Sequence, residues 1–172
     1  MELNGNGFTL RTWKSDDAES LRKNADNTNI SDFLFDRFPS PYTLAEAHHF
    51  IGLKMNQDPV TNFAITVNDE VVGVIGLDFR EDIYRKAPLL GYWLSEHLWG
   101  RGIMPQAIKL IIDYGFTNLP IVRIQAGVLG NNPKSMRVLE KAGFTKEAVL
   151  KNAIIKNGVI LDEHLYAILK LE

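Results

Sequence analysis

The run Trp99-Gly100-Arg101-Gly102-Ile103-Met104-Pro105 sets two glycines around an arginine, directly ahead of a helical pattern. At a helix N-terminus about four backbone amides lack intrahelical acceptors and the macrodipole adds roughly half a positive charge, so an anion placed there gains charge-assisted hydrogen bonds. Gly100 and Gly102 remove two side chains where a pyrophosphate would sit, and Arg101 can add charge from the outer side of the loop. The chemistry on offer is backbone cradling of a phosphorylated ligand. The same two glycines also serve simply to turn a chain from strand into helix. The run is neither a dinucleotide fingerprint nor a P-loop, since it has no third spaced glycine and no Gly-Lys-Ser/Thr.

A second polar group stands at Asn132-Pro133-Lys134-Ser135. Asn132 is a good helix cap, Pro133 suits a first helical position, and Ser135 brings a hydroxyl into the first turn, where it can serve a ligand or face solvent. His48, His49, His97 and His164 form no metal-ligand spacing, and His48 and His49 point to different sides of a helix, so no metal is expected. With no cysteine in the chain, a thiolate nucleophile, a Cys-ligated zinc and a disulfide framework are all excluded.

These residues are positioned by a readable succession of elements. Phe8 to Trp13 alternates as a half-buried strand, and Ser15-Asp16-Asp17 offers a cap and acidic first turn for a helix to about Ala25. Residues 26–41, with Phe33, Phe35 and Phe38, read as an irregular loop or short helix with an aromatic underside. Thr43-Leu44-Ala45-Glu46 matches a capping box and predicts a helix to about Gln57. Phe63 to Val67 and Val71 to Phe79 form a hairpin through Asn68-Asp69-Glu70, since Asn and Asp tolerate positive φ. Leu89 to Leu94 is a strand in which Gly91 marks a bulge or close approach. A helix runs from about Met104 to Thr117, a strand from Ile121 to Leu129, a helix from Pro133 to the stop at Gly143, and two strands from Phe144 to Leu150 and Val159 to Leu169. The order β-α-α-β-β-β-α-β-α-β-β implies a mixed sheet with helices on its faces.

The 172 residues, 45% hydrophobic, suffice for one core and are short for two, so one domain over 1–172 is expected. Nineteen Lys and Arg against twenty-one Asp and Glu leave no basic excess, and nucleic acid is not expected as a direct partner. The start lacks a basic stretch followed by an apolar core, and no apolar run approaches the roughly 20 residues of a membrane span. A cytoplasmic location away from membranes is the expectation.

Taken together, Leu10-Arg11, Gly91-Tyr92-Trp93-Leu94, Trp99 to Met104, Arg123-Ile124-Gln125-Ala126, Asn132-Pro133-Lys134-Ser135 and Val138 to Phe144 resemble the GNAT acyltransferase superfamily, in particular its RimJ/RimL-like branch of ribosomal-protein N-terminal acetyltransferases. The resemblance spans nearly the whole chain. It implies a single-domain α/β (α+β) fold, a mostly antiparallel sheet of about seven strands, splayed in the middle and flanked by about four helices. Acetyl-CoA is implied as co-substrate, and the family's Gln/Arg-x-x-Gly-x-Gly/Ala loop falls on Trp99 to Met104, with Trp99 and Met104 departing at its ends. Pantetheine would enter the opening beside Trp93 and Leu94, where a backbone N–H can stabilise oxyanion charge. Cofactor contacts are thereby assigned to Trp93, Leu94, Trp99, Gly100, Arg101, Gly102, Ile103, Met104, Asn132 and Ser135, and Ser135 resembles the proposed thiolate donor or acid of this branch.

The base is less legible. Relatives carry a glutamate at places held here by Leu89 and Ile154, which leaves Asp78, Glu147, Asp162, Glu163, His164 or water. An α-amine with pKa near 8 is roughly a quarter neutral at pH 7.5, whereas a lysine near 10.4 is neutral in about one part in a thousand, so an α-amine needs less help. Phe33, Phe35, Phe38 and Tyr42 shape an acceptor pocket or a small aromatic core. The implied activity is direct acetyl transfer to a primary amine, on a protein N-terminus or a small molecule, by a monomer or homodimer. The missing base motivates an alternative, a catalytically weak acyl-CoA-binding or sensing module.

Overall fold

The computed structural model describes residues 1–171, whose contacts group into two compact units. One comprises Met1–Gly76 with Tyr92–Ile103 and the other begins with Leu77–Gly91 and resumes at Met104. Among the described residues there are five α-helices and eight strands in a mixed, mostly antiparallel α/β fold, against about four and seven expected.

The first unit contains β1 (Glu2–Asn4), β2 (Thr9–Arg11), α1 (Ala18–Ala25), α2 (Thr28–Ser31), α3 (Leu44–Lys54), β3 (Asn62–Val67) and most of β4 (Glu70–Asp78). The strands pair antiparallel in chain order, with Leu3 opposite Leu10 and Leu10 opposite Ile65. β1 is the strand that the sequence did not announce. A Cβ at Gly5 would collide with the Phe8 ring, so the turn closes only with glycine there. Phe8 to Trp13 shortens to Thr9–Arg11, and a single 3-10 turn at Ser15–Asp17 leads into α1. The 26–41 segment gains the one-turn α2, capped by the Asn27 side chain. In α3, Thr43 Oγ1 accepts from the Glu46 amide at 3.3 Å, one half of the expected capping box, and the helix ends at Lys54 rather than Gln57. Asn68 and Asp69 both take positive φ, 51° and 64°, in a two-residue turn between β3 and β4. That geometry matches the twist of the flanking strands.

Leu21, Ala25, Ile30, Tyr42, Ala47, Ile51, Ala64, Val71 and Trp93 form this unit's core. Each large buried side chain contributes about 1.5–3 kcal/mol relative to exposure. Beneath α1 lies a buried ion pair. Arg11 and Asp17, each 4% exposed, meet through two hydrogen bonds of 2.8 and 2.7 Å, and Arg11 also donates to Asp69 Oδ1 at 3.1 Å. Hydrogen bonding to Asp17 raises the Arg11 pKa, so the guanidinium stays charged although buried.

The second unit contains the start of β5 (Leu89–Leu94), most of α4 (Ile103–Asn118), β6 (Arg123–Leu129), α5 (Pro133–Lys141), β7 (Thr145–Lys156) and β8 (Val159–Leu169). β6 and β7 both pair antiparallel with β8, while β5 and β6 are parallel through one rung, Leu89 opposite Gln125. β7 runs six residues past the expected Leu150, with register shifts between Lys146 and Ala148 and between Leu150 and Ile154. Its hairpin turns on Asn157 and Gly158, both at positive φ. α4 packs by a small-residue contact: a Cβ at Gly115 would lie 3.1–3.2 Å from Leu77 and Ile121 methyls. No helix among the described residues is long and apolar enough to cross a membrane.

Candidate functional site

In the first unit, β5 delivers Trp93 and Leu94, both buried, to a short connector that ends in the two-glycine loop. The strand lies close against β4. Ser95 N donates to Val72 O at 2.7 Å, and a Cβ at Gly73 would come within 2.5 Å of Trp93 O, so only glycine permits this approach. Ser95 Oγ donates to Asn24 Oδ1 on α1 at 2.8 Å. Its one proton being so used, the 2.8 Å contact with His97 Nδ1 has the imidazole N–H as donor. Glu96 accepts hydrogen bonds from Asn27 and Asn29 at 2.7–3.1 Å, tying the connector to the start of α2. These two ties were not legible in the sequence, where Ser95, Glu96 and three asparagines stand about 70 positions apart.

Trp99 Nε1 donates to Leu94 O at 2.7 Å, and the indole packs against the core cluster. Its side chain thus folds back on β5 and braces the loop, a structural use that explains how tryptophan stands where the family pattern has Gln or Arg. Beyond it Gly100 and Gly102 take φ of +76° and +77°, which β-carbon-bearing residues rarely adopt. Gly100, Arg101 and Gly102 are exposed, and a Cβ at Gly100 would meet nothing within 4 Å. α4 begins at Ile103, so the amides of Gly102, Ile103 and Met104 belong to the stretch that a helix start leaves without intrahelical acceptors, while Pro105 has no N–H to satisfy. The side chains of Ile103 and Met104 are buried, which leaves them only backbone atoms to offer a ligand.

The aromatic segment divides. Phe38 packs on Tyr42 and Trp93, with centroids 5.1 and 6.0 Å apart, whereas Phe35 is exposed with Arg37 stacked on it at 5.2 Å. Burial pushes the Tyr42 hydroxyl up to about 12, which keeps it neutral. Phe38 and Tyr42 therefore form a small aromatic core behind Trp93.

In the second unit, Asn132 Oδ1 accepts from Ser135 N at 3.2 Å, the predicted cap, and Gly143 stops the helix at φ +100°. Ser135 is half-buried in the first turn of α5 and Arg137 is exposed. Further along, Tyr166 donates its hydroxyl to Glu140 at 2.9 Å and is itself raised to about 12, by burial first and Glu140 second.

The candidate bases on the last two strands separate by face and by partner. Glu147 is bound by both terminal nitrogens of Arg123, and that hydrogen bonding lowers its pKa. Asp162 accepts from Lys151 Nζ at 2.8 Å and from Asn152 N at 3.0 Å, with the same direction of shift. His164 shares a strand face with Tyr166, on the side of α5, and its buried Nδ1 has no hydrogen-bond partner among the described residues. Glu163 points to the opposite face, where it lies over Gly127 of β6. Among the described residues no group of three or more His, Asp and Glu is gathered as a metal site would need.

A family model for the acetyltransferase (GNAT) domain matches residues 8–145. Over 171 residues the chain is 29% identical to an uncharacterized N-acetyltransferase, p20, of Bacillus licheniformis, covering 96% of this chain and 94% of that one. It is 34% identical over 105 residues to the ribosomal-protein-serine acetyltransferase of Escherichia coli (strain K12), covering 61% and 58%. A Bacillus subtilis relative matched at 39% identity is spanned over 65% of its own length. Among solved structures, the microcin C7 self-immunity acetyltransferase MccE in complex with acetyl-CoA and AMP superimposes with a TM-score of 0.79 at 28% identity, covering 96% of this chain and 94% of that chain.

Proposed function

The chain belongs to the GNAT acetyltransferase domain family, and from that premise we propose that it transfers acetyl from acetyl-CoA directly to a primary amine, on a protein N-terminus or a small molecule. The observation that carries this reading is the exposed loop at Gly100-Arg101-Gly102, with both glycines at left-handed φ, opening the sixteen-residue α4. It can offer a pyrophosphate the first amides of a helix start, approached over two glycines. Arg101 supplies charge at the rim.

In this proposal Trp93 and Leu94 hold the pantetheine arm along β5, and a backbone N–H there meets the carbonyl oxygen as its charge grows. Asn132 caps α5 and sets the first turn, and the Ser135 hydroxyl meets the departing sulfur. A hydrogen bond to an ionised group contributes about 1.5–3 kcal/mol, roughly 10- to 100-fold. Ser135→Ala is therefore expected to lower kcat about 10- to 100-fold while the acetyl-CoA Kd stays within about threefold, because the Asn132 cap uses the Ser135 backbone N–H and not its hydroxyl. An unchanged kcat would remove Ser135 from the mechanism.

The acceptor class follows from an amine screen read by thiol release. One relative is named for a ribosomal-protein serine and one solved neighbour for self-immunity to a microcin, and family membership alone does not choose between a protein and a small-molecule acceptor.

A further inference from the structure

Within the second unit, the β7–β8 hairpin outruns its sheet. The ladder between β6 and β8 ends at the rung Leu129–Glu163, whereas β7 and β8 go on pairing through Ile154–Leu161, Ile155–Ile160 and Lys156–Val159. Beyond β6 the hairpin is therefore a two-stranded arm, a form that is marginally stable in water without cover. Directly opposite residues share a face, and successive residues alternate between faces. One face holds Tyr166 and Ile168, on which α5 packs through Glu140 and the Gly143 stop, and Ile124, on which α4 packs at Gly115. The other face runs from Val159 at the tip through Ile154 and Leu161 to Leu150 at the base, with Val159 56% and Leu150 41% exposed. Gly127 keeps this second face level, because the Glu163 side chain lies down over it, where a Cβ would overlap Oε1.

The charges on the second face decide its occupant. A two-fold, isologous contact needs a surface complementary to itself. Lys156 stands opposite Val159 at the tip, and Glu163, which has no ion pair among the described residues, stands opposite Leu150 at the base. Val159 and Glu163 lie about 13 Å apart along β8 at roughly 3.3 Å per residue, and Leu161 falls midway between them. A two-fold axis through the Ile154–Leu161 rung sets apolar side chains on one another at the centre and brings each tip lysine onto a base glutamate. The neighbouring charges are already matched, Arg123 with Glu147 on this face and Asp162 with Lys151 on the opposite one. A parallel stacking would instead set lysine on lysine.

We infer that a second copy of the chain docks on this face, the two arms lying antiparallel so that Lys156 of each copy meets Glu163 of the other. The interface stands apart from the acetyl-transfer reading. Its area is modest, since the arm offers fewer than the roughly 20–30 residues a side of a standard interface. Dissociation at about 10–100 μM is expected, and not an obligate dimer.

Sedimentation velocity over about 1–500 μM protein brackets that range. The samples are wild type, Lys156→Glu, Glu163→Lys, the double reversal of both, and Ile160→Lys. Ile160 is 62% exposed on the opposite face and controls for nonspecific apolar association. Wild type is expected to pass from monomer to dimer across the range. Each single reversal puts two like-charged contacts into every dimer and should weaken association at least about tenfold. The double reversal and Ile160→Lys should both stay within about threefold of wild type. All these side chains are exposed or half-buried, and urea midpoints near that of wild type are expected. A wild-type monomer at the highest concentration overturns the inference and leaves the face to a different partner. A dimer that the single reversals leave intact, that the double reversal fails to rescue, or that Ile160→Lys abolishes overturns it as well, because its interface then lies elsewhere.

Discussion

Replacing Gly102 by valine is expected to raise the acetyl-CoA Kd roughly 100-fold, the equivalent of losing one or two charge-assisted hydrogen bonds. Two effects act together. Gly102 sits at φ +77°, where a β-branched residue is strained by about 1–3 kcal/mol, so the loop must rearrange. The branched side chain also enters the space in which the backbone would approach the pyrophosphate. Gly7→Val separates strain from ligand binding: Gly7 has φ +78°, open surroundings, and a place in the β1–β2 turn. It should cost comparable stability and leave the Kd alone. Calorimetric titration of the two folded variants reads the difference. Wild-type affinity in a folded Gly102→Val protein would remove the phosphate site from this loop.

The largest stability effect is expected at Asp17. Asp17→Ala leaves the Arg11 guanidinium buried without its two-bonded partner, and breaking one side of a buried pair costs about 3–5 kcal/mol. Arg11 keeps its bonds to Thr12 O and to Asp69, so the lower part of that range is expected. Asp17 also accepts from the Lys14 amide at 2.7 Å, a bond that shapes the entry into α1. Urea unfolding should show a loss of about 3 kcal/mol, and the double change Arg11→Met, Asp17→Leu should recover much of it. A loss under about 1 kcal/mol would mean that water reaches the guanidinium and replaces the aspartate.

Local signals predicted local structure well. The Asn68-Asp69 turn, the Asn132-Pro133 start of α5 and its stop at Gly143 each depend on residues within a few positions of one another, and all three stand as read. What failed was set by distant residues. Asp17 read as an acid in a helix's first turn, yet it is buried on Arg11 because β2 brings the guanidinium beneath it. β1 is three residues long and exists through its ladder to β2. β7 continues past Leu150 because β8 pairs with it across two register shifts, which no alternation pattern foreshadows.

The candidate site divides in the same way. The glycine loop and the Asn132 cap were legible because spacing alone defines them. Trp99 was read as a ligand contact, and its indole also has a structural use not legible in the sequence, donating to Leu94 O at 2.7 Å. The partners of the candidate bases were not legible, because strand face and register set them: Glu147 meets Arg123 and Asp162 meets Lys151. Gly127 was the available clue: a glycine inside a buried strand often marks a close approach. The side chain it admits comes from Glu163 on a different strand.

The proposed reaction moves acetyl from acetyl-CoA to an amine. Mass spectrometry of an amine and peptide panel, run beside thiol detection, tests it most directly. One thiol is expected for each acetylated amine, with both signals reduced together at subsaturating acetyl-CoA in Gly102→Val. Acetyl-CoA bound tightly by wild type, with no acetylated product from any amine in the panel, would contradict it and leave a binding or sensing module.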